Sequence, residues 1–299
     1  MSYLIDTHCH LHDREFFTEA QAEEMLAHAQ EKNVRKIICI GTNHDDSLAA
    51  AEFAASHDDA YWTYGIHPEY ATDSKDWRVL SAPIFPTSRL DFSSTSYAGS
   101  QAAPSLRDGP VRPVRNIRGE KSNHVMTSEK QGAATRHCMP VAIGEVGLDY
   151  HCEGYDRAAQ IRLFEQMLQL AVDNDLPLSF HVREAFDDFF PIVANFPGAR
   201  GVVHSFTDSK KTLKRILSET DFYVGVNGLA TYSTLPTPPL DRILLETDAP
   251  FLTPKPFRGI INEPAYVSAV ALWLATKLGL DHKIIEEETT KNANQLFKL

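Results

Sequence analysis

Eight short apolar runs, beginning at Tyr3, Val34, Ala60, Val141, Leu176, Gly201, Phe222 and Arg242, recur along the 299 residues, with amphipathic stretches between most of them. Runs of this length that are apolar on both faces read as strands of a parallel sheet. Parallel strands need crossovers, so strand must alternate with helix. Eight repeats of that unit predict an α/β fold, a (β/α)8 TIM barrel. The length agrees, because barrels commonly build one core from about 250 residues. Residues 1–299 are therefore expected to form one barrel.

Helices are expected from an N-cap at Thr18 through Lys32, then over 46–57, 156–174, 185–194, 209–218, 263–278 and 281–297. In the third of these, Ile161, Phe164, Met167, Leu168 and Ala171 share one helical face. The alternation breaks twice. Residues 72–139 are rich in Ser, Pro and Arg and lack a sustained apolar period, which predicts an irregular, flexible insertion after strand 3. Its Arg107, Arg112, Arg115 and Arg118 either line a strand of nucleic acid or decorate a solvated loop. Between Gly228 and Arg242, Pro236, Pro238 and Pro239 forbid a helix in the second half of the link. The crossover between strands 7 and 8 is thus shortened to about the dozen residues that a parallel connection requires.

The runs share a further property: their C-terminal ends carry metal-type side chains. The first ends in His8-Cys9-His10, and a period of two puts both imidazoles on one face, a chelating arrangement, while His12 has no such partner and is expected in solvent. Glu145 follows the apolar Val141, Ala142 and Ile143 between Gly144 and Gly147. A carboxylate there is costly unless cations or donors compensate it, so it either bridges metals, caps the next loop or pairs with a lysine; the glycines leave room for a close approach. His67, His181, His204 and Asp248 occupy the corresponding ends of other strands. In a barrel those ends converge on one face, so His8, His10, Glu145, His181, His204 and Asp248 form a candidate metal centre. Nitrogen and oxygen donors with a shared carboxylate and no cysteine suit two divalent ions, zinc, manganese or magnesium.

A net charge of -11 argues against broad electrostatic affinity for nucleic acid, although a metal centre would reverse the field locally. Four cysteines without CxxC spacing read as reduced thiols. The opening MSYLIDTHCH has no signal-peptide pattern and no run has transmembrane length, so a cytoplasmic location with no membrane partner is expected. A monomer is assumed.

The stretches IDTHCHLH, GIHP, VAIGEVGLDY, LPLSFHVREA, GVVHSF, FYVGVNG, ILLETDAPFLTP and FRGIINEPAYV together resemble the TatD family of metal-dependent deoxyribonucleases, in the amidohydrolase superfamily. They cover most of the chain outside 72–139. The resemblance implies a first metal on His8, His10, Glu145 and Asp248 and a second on Glu145, His181 and His204, with Glu145 in the bridging place that a modified lysine takes in many superfamily members. It implies hydrolysis of DNA phosphodiester bonds, with Asp248 as base and Glu145 as the other catalytic residue. His67 and Arg183 are candidates for holding phosphate oxygens, with Arg258 and Asn262 behind them. RNA or transfer RNA are alternative substrates, as are amide or ester bonds such as those of D-aminoacyl-tRNA; a catalytically impaired binding scaffold is the remaining reading. Measured against the family pattern, the GIHP to GEVGLDY interval is long and the Asn227 to Arg242 interval is short by roughly one helix, which threatens the placement of Asp248.

Overall fold

The computed structural model describes residues 2–73, 84–85, 139–151 and 153–299. Strands β1 (Leu4–Cys9), β2 (Val34–Cys39), β3 (Ala60–Tyr64), β4 (Ala142–Asp149), β5 (Leu178–Arg183), β6 (Gly201–Val203), β7 (Tyr223–Val226) and β8 (Ile243–Leu245) pair in chain order. Every neighbouring pair is parallel. Just beyond β8 the chain returns to β1: Cys9 bridges Ala249, the His10 amide donates to the Ala249 carbonyl at 2.8 Å and the Asp248 amide to the His8 carbonyl at 2.8 Å. The sheet is thereby wrapped into a (β/α)8 barrel, as expected.

The described helices are α1 (Glu19–Glu31), α2 (His44–Ala55), α3 (Arg157–Asp173), α4 (Phe186–Val193), α5 (Lys210–Glu219), α6 (Val267–Leu278) and α7 (His282–Phe297). Their starts follow local chemistry. Thr18 and Gln21 form a reciprocal capping box on α1, and Asp156, Ser209 and Asp281 cap α3, α5 and α7. α2 begins two residues earlier than the expected start at Asp46, because Asn43 accepts the Asp46 amide as N-cap.

The short β7–β8 link is two turns of 3-10 helix, Gly228–Thr231 and Leu240–Arg242. It suffices. Val224, Gly225 and Val226 pair with Ile243, Leu244 and Leu245, so β8 lies in register beside β7 and delivers Asp248 to the same end as the other candidates.

Three expectations need correction. β4 does not stop at Glu145 but runs on to Asp149, buried throughout, with a register shift between Ile143 and Val146 of the kind that re-aims a side chain. The flanking glycines make room for β5 and not for a ligand: a Cβ at Gly144 would lie 2.6 Å from Ser179 Cβ, and one at Gly147 would lie 1.9 Å from the His181 carbonyl oxygen. His12 is not in solvent. It is 1% exposed, with Nε2 on Asp46 Oδ1 at 3.0 Å, because the turn after β1 folds it under α2.

Most of the 72–139 segment, including Arg107, Arg112, Arg115, Arg118 and Cys138, lies outside the described residues, as does Cys152. Phe85, inside that segment, is nonetheless a core residue, 1% exposed and edge-on to Tyr64 at 5.6 Å between centroids. Phe85→Ala is expected to destabilise the protein by about 3–5 kcal/mol, measured by denaturant unfolding; a loss within ~0.5 kcal/mol, the range of surface substitutions, would remove Phe85 from the core. Cys9 and Cys39 are free and buried. Among the described residues no helix is long and apolar enough to cross a membrane.

Candidate metal centre

The C-terminal strand ends surround a cleft of about 620 Å³ whose lining includes His10, His67, Glu145, His181, Arg183, His204 and Asp248. Glu145 lies at its base. His181 Nδ1 is 2.8 Å from Glu145 Oε1, His8 Nε2 is 3.5 Å from Oε2, and His204 Nε2 is 3.8 Å from Oε1. On the other side Asp248 Oδ1 faces His8 Nε2 at 3.4 Å, His10 Nε2 at 3.5 Å and His204 Nε2 at 3.9 Å. His8 and His204 stack at 3.5 Å, 16° from parallel. The six sequence candidates for metal ligation therefore converge.

Two positions favour cations there. His8 Nε2 is fully buried without a hydrogen-bond partner, yet two carboxylates point at it. Burial without a partner costs free energy that a ligand would recover. His10 directs Nδ1 to the Ile40 carbonyl at 3.1 Å, which fixes the proton on Nδ1 and leaves the Nε2 lone pair facing Asp248. Donor sets of His8, His10 and Asp248, of His67, Glu145 and His181, and of His8, His204 and Glu246 each gather within the reach of one ion.

The second set contains His67, where the resemblance implied His204. Local hydrogen bonding argues against His67 as a ligand. Its Nδ1 accepts the Glu69 amide at 3.3 Å as cap of the short 3-10 helix Pro68–Tyr70, so the neutral ring carries its proton on Nε2, the atom 3.9 Å from Glu145. Burial pushes the His67 imidazolium down to about 4, so at neutral pH it is a neutral donor aimed into the cleft.

The remaining protonation states follow from the carboxylates. Burial pushes the Glu145 carboxyl up, but the hydrogen bond from His181 and the adjacent His8 and His204 imidazoles outweigh it and hold the group well below the usual carboxylate range. Burial likewise disfavours charge on His181, yet hydrogen bonds to Asp149 and Glu145 raise it to about 9. For His204, burial is opposed by the charges of Glu246 and Asp248, and its imidazolium is raised to about 10. Asp248 is lowered against the cost of its burial, chiefly by the charge on His204.

Four positioning residues escaped the sequence reading. Glu246 Oε1 lies 3.1 Å from His204 Nδ1, off the N–H axis, and accepts the Ser205 amide at 2.6 Å. Gly225 makes this possible, since a Cβ there would lie 2.4 Å from Glu246 Oε2. Asp149 takes His181 Nε2 at 2.9 Å. Asp6 accepts the Thr247 amide at 2.9 Å, the Thr247 hydroxyl at 2.6 Å and the His8 amide at 3.3 Å, fastening β1 to the chain beyond β8 between two candidate ligands. Ser179 Oγ is 3.5 Å from His8 Nδ1. A carboxylate two residues before Asp248 was the one signal available for Glu246; for the others nothing local points to the partner.

The phosphate candidates divide. Arg183 ends β5 exposed at the cleft. Arg258 does not line the cleft; its guanidinium lies over the Tyr232 ring, 5.6 Å from the centroid. Asn262 is buried, donating to the Thr247 carbonyl at 2.8 Å and the Phe251 carbonyl at 2.6 Å and accepting the Glu263 amide at 3.0 Å, so it braces the Asp248 turn and has no capacity left for phosphate.

Comparison with known proteins agrees with this fold. The chain is 29% identical to an uncharacterized metal-dependent hydrolase of Bacillus subtilis, YabD, over 99% of each chain. It is 28% identical to the 3'-5' ssDNA/RNA exonuclease TatD of Cronobacter sakazakii over 92% of this chain and 91% of that one. The structure of YJJV, a TatD homolog from Escherichia coli, superposes with a TM-score of 0.72 at 24% identity, covering 99% of this chain and 98% of the other, which speaks for the fold. The family described as TatD related DNase matches residues 5–298, and the chain therefore belongs to it, a family with metal-dependent hydrolases among its members.

Proposed function

We propose that this protein is a metal-dependent nuclease that hydrolyses phosphodiester bonds in single-stranded DNA, with a pair of divalent ions at the strand ends. The observation that carries the reading is Glu145: one buried carboxylate facing His181, His8 and His204, and so shared by two groups of donors. The 3'-5' ssDNA/RNA exonuclease among the relatives supports the substrate class.

His8, His10, Glu145 and Asp248 would hold the first ion, and Glu145, His181 and His204 the second; magnesium, manganese and zinc all accept such donors. When bound, the ions lower the pKa of a water molecule and offset charge on phosphoryl oxygens. The protein's own groups do the rest. Asp248, ionised at neutral pH, accepts the proton of the attacking water. His67 donates Nε2–H to a phosphoryl oxygen, and Arg183 offers a bidentate pair of N–H groups at the cleft. Glu246 and Asp149 keep His204 and His181 oriented.

The test is hydrolysis by the purified chain, with magnesium, manganese or zinc added in turn, of single-stranded DNA, single-stranded RNA and charged transfer RNA. Metal-dependent cleavage of DNA is expected. Deacylation of transfer RNA without DNA cleavage would replace this reading with an ester hydrolase on the same ligands, and inactivity with no retained metal would replace it with a binding scaffold.

Metal uptake should also release protons. Imidazole ligates only when neutral, whereas His181 and His204 are raised to about 9 and about 10 in the metal-free protein. Affinity is therefore expected to climb with pH from 6 towards about 9. Calorimetry in buffers of different ionisation enthalpy measures the released protons, and uptake at pH 7 without release would contradict the ligand set.

A further inference from the structure

Phe16 and Phe251 stand at the same cleft with large exposed surfaces, 46% and 47%. Their rings meet edge to face, 5.2 Å apart at 82°. Phe251 also lies 6.4 Å from the His10 ring. Neither is there to fill the core: the adjacent Phe17 does that, at 1% exposure. Exposed aromatic surface concentrated beside a reactive centre marks contact with a ligand.

We infer that Phe16 and Phe251 form a stacking clamp for an unpaired nucleobase next to the scissile phosphate, an inference that rests on the nuclease reading above. The position of Phe251 is fixed relative to the chemistry. Its amide donates to the Asp248 carbonyl at 2.8 Å and its carbonyl accepts the Asn262 side chain at 2.6 Å, so the backbone that carries the ring is tied to the backbone of Asp248. Phe16 is tethered by its amide to the Asp13 carbonyl at 3.3 Å. An edge-to-face pair leaves ring surface on which a base can lie.

The charge around the pair favours a base over further phosphates. Asp13 and Glu15 line the cleft on the side of Phe16, and Glu69 lines it near His67, while Arg183 is the one lysine or arginine among the described lining residues. An acidic rim repels a phosphate backbone, so grip on the strand away from the metal centre has to come from stacking, which tolerates any base. A base paired in a duplex cannot lie on that ring surface without leaving its stack. The clamp thus explains how an acidic protein would select single strands.

The experiment uses the full chain with manganese on single-stranded hexanucleotides in which a stable abasic unit replaces each nucleotide in turn. At one position, adjacent to the cleaved bond, removal of the base is expected to lower kcat/KM by about 5- to 150-fold, the range of base–aromatic stacking. In Phe251→Ala and Phe16→Ala the ratio of intact to abasic substrate should fall towards one, mainly through a higher KM for the intact strand, and Phe251→Trp should restore it. Variants that keep the wild-type ratio, or a wild type that cleaves every abasic strand as well as the intact one, would overturn the clamp while leaving the nuclease reading in place. Wild type that cleaves no strand at all would remove the nuclease reading, and the clamp with it.

Discussion

Glu145→Gln is expected to abolish turnover, by at least about 10²- to 10³-fold, as follows the loss of a group that acts on charge in the transition state. The amide keeps the length and shape of the side chain, but it cannot carry negative charge between two groups of donors, so the two proposed ions would lose their common ligand. The fold should survive. Removing an anion from a buried site commonly strands its partners as unpaired charges, at several kcal/mol. Here the partners are imidazoles, and His181 and His204 can release the proton that the lost carboxylate was supporting. Asp149 still holds His181 from its other nitrogen at 2.9 Å. Circular dichroism should therefore look like wild type at pH 7 while nuclease assays at saturating metal find no product. A variant that turns over at the wild-type rate would mean that Glu145 is not the bridge.

Asp248→Asn separates two tasks that the histidines do not share. An asparagine keeps an oxygen facing His8 and His10, where Asp248 Oδ1 now lies at 3.4 and 3.5 Å, but it loses the basicity. The variant is expected to retain much of its metal and to lose turnover by about 10²- to 10⁴-fold, the usual contribution of a general base. His204→Ala should behave differently. It removes a ligand together with the ring that stacks on His8, and leaves the carboxylate of Glu246 without its imidazole. Metal content should drop, and excess metal should partly rescue activity. Rescue of His204→Ala without rescue of Asp248→Asn is the expected pattern; equal rescue of both would reduce Asp248 to a ligand. Because β8 pairs in register with β7 despite the short crossover, misplacement of Asp248 is not an available explanation for low activity.

Strand count, most helix starts and the face on which the candidate ligands gather were legible in the residues alone. Each depends on short-range physics. A strand is an apolar run, an N-cap such as Thr18 or Asp156 bonds an amide three residues on, and the C-terminal ends of barrel strands must meet whatever lies between them. For the same reason an HxH pair at the end of β1 and a carboxylate near the end of β8 could be placed on one rim before any contact was known.

The tertiary structure decided which polar group stands beside which. Asn262 braces the Asp248 turn instead of meeting phosphate, Arg258 rests on Tyr232, and His12 is buried on Asp46. Asp6 reaches Thr247 across 241 residues of sequence. A period of two tells which face of a strand a side chain takes, but it is silent on the neighbour that the far end of the chain will bring there. The worth of a buried polar group is set almost wholly by that neighbour, since the same amide or imidazole is costly alone and stabilising when paired. Hence the candidate ligands at the strand ends could be picked out from the sequence, while Glu246, Asp149 and Asp6, which hold other residues in place, became visible only once the barrel had closed.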